Sequence, residues 1–569
     1  MAKKLKRAFT ITELVIVIAV IAILAAVLIP TFSNIVRRAN ESADIQAVRE
    51  MNVALANEEA LAGEKPANIG EVREILAEAG YNSDGYHPIS SGYAFYWKQS
   101  VNCIILVKGE GSAREVVYPE DYAGAGEDFL YNDTDCYNLE TGWSAEYDSV
   151  LGEISASGNN SLAIGGGEAT AEEAKERLVT VLNMSAFGGE TFEGVTLTLG
   201  QDIDLENETL TPFKEFCGTL DGNGKTISGV NITPRHGADG NGYLYSDDFD
   251  VEEGIQKSKY GVGLIACLNG GTVKNLSVTY SDADGTHADP LNEYTYFGGI
   301  AGCLLSGTIE NCTVSGDIVQ YNRVGGIAGT ALHGTIRNCT VTANITSKTT
   351  SKGYHESNVL PNYSYAGGIV AYVGNHIDGA QESVTISDCT VGAADPENAV
   401  TIKAHYAVGG FVGWDALGTD ITISGGTLRN AAIVSTGGNS YAGLLIGRTA
   451  ASNPNSVTAY AEKITFSSGI QLTNAKIEGY SSGETAAMYA LTGEQNVYIG
   501  NLSKNSGSEN DDVLFNGAPF TQPSGQNYQD KAILIGNAAL GGGEGKFANL
   551  TIAANAAFSV SGCSASKAA

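Results

Sequence analysis

The chain has 569 residues, with 33 basic against 64 acidic side chains and a formal net charge of −31, which disfavours nucleic acid as a partner because a polyanion is bound through Lys and Arg. Charged residues make up only 17% and hydrophobic residues 43%, so a disordered polyelectrolyte is excluded. Glycine is abundant at 71 and proline scarce at 12, a pairing that predicts tight turns between short strands, and nine Cys leave at least one thiol unpaired in a monomer.

The first eight residues, MAKKLKRA, form a basic leader and are followed by FTITELVIVIAVIAILAAVLIPTF. As a helix, Phe9 to Ile29 is long enough to cross the roughly 30 Å hydrocarbon core, and the Lys and Arg residues before it set a cytoplasmic side. An ordinary secretory signal would have a shorter apolar region ending in a small-x-small site. Glu13, a carboxylate inside this run, costs about 2.5–3.5 kcal/mol on insertion scales and therefore calls for a partner.

On these residues, FTITELVIVIAVIAILAAVLIP after a short basic leader, the N-terminus resembles that of type IV pilins and pseudopilins. The resemblance implies that a prepilin peptidase cuts between Ala8 and Phe9 and that Phe9 is then N-methylated, with Ala8 standing where the family usually has Gly. It also implies that Glu13 meets the Phe9 amine of a neighbouring pilin subunit and that Pro30 kinks the helix. Residues 9–35 would serve first as a single-pass span in the cytoplasmic membrane, then as the polymerisation helix of an extracellular, cell-surface pilus.

Beyond Pro30 an amphipathic helix continues, with Ala39, Ala43, Ala47, Met51 and Leu55 four apart, until Pro66 ends it. The spacing predicts a second helix over 70–81, and strands over 92–99, 101–108 and 114–119. A long helix on a small antiparallel sheet, here over 36–143, is what pilin heads look like. In an exported protein Cys103 and Cys136 are either a disulfide or two small hydrophobes. The Gly/Ser/Ala-rich stretch 144–169 reads as a linker.

The remaining four hundred residues repeat. FGGIAGCLLSGTIENCTVSGDI (297–318) returns 27 residues later as VGGIAGTALHGTIRNCTVTANI (324–345), with weaker copies at 262–282, 366–391, 408–433 and 441–470. Each unit has alternating apolar positions but cannot bury its own face, so stacking into a right-handed parallel β-solenoid over 185–569 is expected, an all-β fold following the α+β head. TAEEAKERLVTVLNM (170–184) has Ala174, Leu178, Val181 and Leu182 on one face and suits a capping helix. Stacking places Cys312, Cys339 and Cys389 in one column, with Leu276 as a neighbouring equivalent, and Asn311 and Asn338 in an Asn ladder at a turn. The thiols are read as buried, with a disulfide as the alternative. The layout of helix, DIDL strand, DGNGKTI turn and GGIAG…GTIxNCTV coils resembles bacterial surface proteins with GLUG-type repeats, which implies a stalk or adhesive module.

The chemistry in the chain is sparse. TLDGNGKT (219–226) fails phosphate-loop spacing, and the seven His lack zinc-site spacing, so no metal or other cofactor is expected. Calcium has weak candidates in Asp282, Asp284 and Asp289, for which a solvated acidic loop is the plainer reading. A polysaccharide lyase or hydrolase of β-helix fold would need a proton-abstracting base or two carboxylates on one face, and the clear coils offer Arg323, Arg337, Glu310 and Asp317. Tyr354, Tyr363, Tyr365 and Trp414, with Tyr372 and Tyr406, are candidates for stacking on sugar rings. The expected function is therefore a minor or tip pilin displaying a β-solenoid adhesin, without catalysis, for a glycan or protein ligand that the sequence leaves unnamed. The alternatives are a tethered carbohydrate-active enzyme and a secretion-system pseudopilin.

Overall fold

The computed structural model describes residues 11–63, 65–66, 69–81, 83–109, 115–125, 136–140, 145–188, 190–207, 209–210, 212–232, 261–280, 296–348, 364–374, 382–416, 419–437, 440–450, 463–480, 489–490, 497–499, 502–504, 513–515, 518–519, 532–540 and 548–567. They belong to two compact units, Met1–Ala156 and Ser157–Ala569.

In the first unit, helix α1 (Ile11–Ala62) continues unbroken past Pro30, followed by α2 (Ile69–Glu78). The sheet is antiparallel in the order β3-β2-β1-β4, with β1 at Tyr93–Lys98, β2 at Cys103–Lys108, β3 at Glu115–Tyr118 and β4 at Cys136–Asn138. Strand alternation divides its side chains. Phe95, Trp97, Ile104 and Leu106 pack with Val48, Met51 and Leu55 of α1 and Val72 and Leu76 of α2, whereas Tyr96, Ile105, Val107 and Val116 form a second cluster. The helix residues recur every three or four positions, which keeps them on one face. Polar side chains fix the docking: Asp44 accepts from the Ile89 and Ser90 amides at 2.6 and 2.9 Å.

One expectation fails in this unit, and one open alternative is decided. Among the described residues no helix is long and apolar enough to cross a membrane, so the expected single-pass membrane localisation is not supported. The described part of α1 has exposed Arg37 and Arg38 beside Ile35 and Val36, and its later turns give their apolar face to the sheet. Cys103 and Cys136 are both free. They pair with opposite sides of Lys98, one on β2 and one on β4. Two strand spacings separate them by about 9–10 Å, beyond the roughly 7 Å that a disulfide tolerates.

The stretch expected as a linker holds α3 (Ala145–Ala156) and the strand Ser161–Ile164, which joins the second unit by pairing in parallel with Thr196–Leu199. Leu162 and Ile164 alternate inward and are buried, so composition alone hid a strand. Helix α4 (Ala171–Gly188) begins with a capping box. The Thr170 amide donates to Glu173 Oε2 at 2.7 Å, and the Glu173 amide donates to Thr170 Oγ1 at 3.2 Å. Ala174, Leu178, Val181 and Leu182 are sealed.

From there to Tyr480 successive strands pair in parallel and in register, forming a β-solenoid. One inward column reads Leu162, Leu197, Leu220, Val273, Ile309, Ile336, Ile386, Ile423 and Phe466. The residue before each, facing outward, reads Ser161, Thr196, Thr219, Thr272, Thr308, Thr335, Thr385, Thr422 and Thr465. β-branched side chains suit both sides of such a strand. Each buried Ile or Val contributes about 1.5–3 kcal/mol by leaving water, and only the adjoining coils can cover it.

Candidate ligand-binding site

A glycine turn, Gly-Gly in four coils and Gly443-Leu444 in the fifth, makes a tight arch in each. Five short strands, Tyr296–Gly298, Arg323–Gly325, Tyr365–Gly367, Ala407–Gly409 and Tyr441–Gly443, form their own parallel sheet on its first limb. The chain then turns into the second limb, at Ala301, Ala328, Val370, Val412 and Ile446. Glycine is required at this turn by close approach. A Cβ on Gly367 would strike the Val370 carbonyl within the arch, and one on Gly368 would strike the Gly410 carbonyl of the next coil.

Because the arches stack in register, they generate two facing columns. The first is Tyr296, Arg323, Tyr365, Ala407 and Tyr441, and the second is Cys303, Thr330, Tyr372, Trp414, Arg448 and Asn537. Tyr365 packs edge-on against Trp414 with centroids 4.7 Å apart, and Tyr406 against Tyr441 at 5.4 Å. Two guanidinium groups lie among these rings. Arg323 is 4.6 Å from the Tyr296 centroid, 4.8 Å from Tyr372 and 5.5 Å from Tyr365. Arg448 is 4.9 Å from Trp414, 4.9 Å from Tyr441 and 5.1 Å from Tyr406, and its Nη1 donates to the Tyr406 hydroxyl. The aromatic quadrupole favours a cation in this position, more strongly as water is removed.

Exposure separates the two cations. Arg323 is only 5% exposed, whereas Arg448, Tyr406 and Tyr441 are half-buried. Of the aromatics expected to stack on sugars, Tyr354 and Tyr363 lie outside the described residues. Tyr365 and Trp414 are 1% and 9% exposed, so neither offers a ring face to a ligand, and both serve as the wall behind the open residues.

The other singled-out residues fall elsewhere. Ala8, Phe9, Asp282, Asp284 and Asp289 lie outside the described residues, and of Glu13 and Pro30 only the helical backbone is described. Cys312, Cys339 and Cys389 are free, buried and consecutive in one column, with Leu276 beneath them. Hydrogen bonding to Cys339, together with burial, holds the Cys312 and Cys389 thiols well above their ordinary pKa. Asn311 and Asn338 occupy a corner at φ 54° and 53°. Arg337 pairs with Glu310 one coil below, with Nε donating to Oε2 at 2.6 Å, and Asp317 accepts from Asn344 at 2.8 Å. Among the described residues no cluster of three or more His, Cys, Asp and Glu could hold a metal ion.

Residues 293–319 and 320–346, two consecutive coils, each match the GLUG motif, a repeat of unknown function. No pilin or prepilin motif is matched. No curated protein and no solved structure matches the chain.

Reading the sequence residue by residue missed Tyr441 and Arg448. The signal was present: aligning the weaker copies on their arches puts Arg448 in the column of Tyr372 and Trp414.

Proposed function

We propose that this chain is a non-catalytic filament subunit of pilin type, minor or at the tip, whose β-solenoid is a ligand-binding module. The observation that carries the reading is the stacked arch, where Tyr406, Tyr441 and Arg448 stay partly open against a buried wall of Tyr365 and Trp414. A rigid aromatic surface with a placed polar group is how a protein site gains affinity at small entropic cost. Sugars suit it, since a pyranose presents an apolar C–H face to a ring and hydroxyls to a polar group.

Support for the filament part is separate. On α1 the apolar Phe32, Ile35 and Val36 are 67%, 57% and 50% exposed at helical spacing, and a neighbouring helix would cover them. The full-length chain, immobilised and screened against arrayed glycans and matrix proteins, is expected to bind a restricted set saturably and to lose it on Tyr441→Ala. Silence across the whole array would refute the binding module. Chemical crosslinking that yields only monomers at all concentrations would refute assembly.

A further inference from the structure

We infer that the ligand of the open arch is an acidic glycan, held through a single sugar carboxylate by Arg448. This rests on the reading of the arch as a binding surface and goes on to name the ligand's chemistry.

The contrast between the two arginines is the starting point. Each lies among three aromatic rings of the stacked arch, Arg323 on its first column and Arg448 on its second. Arg323 is closed off. Three rings surround it, and it has the role of a core cation. Arg448, with Asn537 of the strand Ala532–Leu540 next to it in register, is left half-buried, between the partly open rings of Tyr406 and Tyr441.

Arg448 is held by rings and a hydroxyl, not by a carboxylate. Among the described residues Arg337 pairs with Glu310, Lys274 with Asp221, Lys463 with Asp420 and Lys175 with Glu206, and no ion pair of Arg448 is among them. Its hydrogen bond to the neutral Tyr406 hydroxyl fixes the guanidinium plane without neutralising it. A fixed fork of N–H donors flanked by aromatic rings matches a planar carboxylate on a sugar ring, which supplies two acceptor oxygens beside an apolar C–H face.

Net charge narrows the class. At −31 the molecule repels dense polyanions, so one guanidinium can capture an isolated uronate or sialate carboxylate but cannot hold a heavily sulfated chain or a nucleic acid. A neutral glycan would leave the cation unmatched.

The test uses the full-length chain and three probes: a short sialyl-oligosaccharide bearing one carboxylate, the same oligosaccharide with that carboxyl reduced to an alcohol, and heparin. The acid is expected to bind, the reduced form at least about tenfold more weakly, and heparin no better than the acid. Arg448→Met should reduce the affinity for the acid to that of the reduced probe, and Arg448→Lys should fall between, because the charge is kept and the fork is lost. Equal binding of acid and reduced probes would overturn the inference while leaving the binding module standing, and so would tightest binding to heparin. A folded Arg448→Met chain that binds the acid normally would overturn it as well. If Arg448→Met does not fold, the two probes on the unmodified chain and the Arg448→Lys variant still decide. No binding of any glycan would remove both readings together.

Discussion

The Asn311 carboxamide donates to the Asn275 carboxamide of the coil below at 3.3 Å, and both residues have a left-handed φ of 54°. The corner therefore needs a residue that tolerates αL and offers a side chain along the stacking axis, and Asn does both. Replacing Asn311 separates the two roles. Asn311→Gly keeps the backbone and loses only the exposed amide bond, whereas Asn311→Val loses both. The valine variant should be less stable than the glycine variant by about 1–2 kcal/mol, read from denaturant midpoints. Equal midpoints would mean that the corner is not strained.

Burial raises the pKa of Cys103 to about 11. The thiolate is the reactive form, so near pH 8 only about one thousandth of Cys103 is reactive. Mass spectrometry after a brief iodoacetamide pulse should find this site unmodified at neutral pH, with labelling that climbs as pH nears 11. Ready labelling at pH 7 would contradict the packing around it. Under denaturing conditions all nine thiols should titrate without a reductant.

In the first unit Asn52 accepts from the Ile104 amide at 2.6 Å and donates to the Ile104 carbonyl at 2.9 Å, binding one β2 residue as a neighbouring strand would. Asn52→Leu removes both partners from part-buried backbone groups and should cost about 2–4 kcal/mol. Hydrogen exchange at Ile104 should accelerate with it. An unchanged exchange rate would show that another group takes over.

Arg323 is buried among Tyr296, Tyr365 and Tyr372. Arg323→Met keeps the length and loses the charge, so the cation–π contribution of about 2 kcal/mol should disappear from solenoid stability while glycan binding at Arg448 persists. Loss of binding without loss of stability would reverse the roles assigned to the two arginines.

Much of the architecture was legible because it is local or periodic. The two clearest copies at 297–318 and 324–345 carry the coil, and period-two alternation gives the inward Ile309, Ile336 and Ile386 without any structure. The cap helix was readable from Ala174, Leu178 and Val181, and the column of Cys312, Cys339 and Cys389 from the shared offset. The separation of Cys103 from Cys136 was not readable, because nothing in their spacing reveals that Lys98 lies between them. Glu310 and Arg337 looked like candidates for chemistry until stacking placed one on the other.

The sequence by itself determined that this protein stacks: a unit with one apolar edge has no way to bury it except on the next unit, and the repeat says so in every copy. Only the tertiary structure decided which side chains share the open face. Tyr406 and Arg448 are 42 positions apart, and Tyr365 and Trp414 meet across two coils with an unequal number of intervening residues. Register in a solenoid is set by hydrogen bonds between strands, which are indifferent to the length of the loops that join them, so proximity across the arch cannot be counted off along the chain.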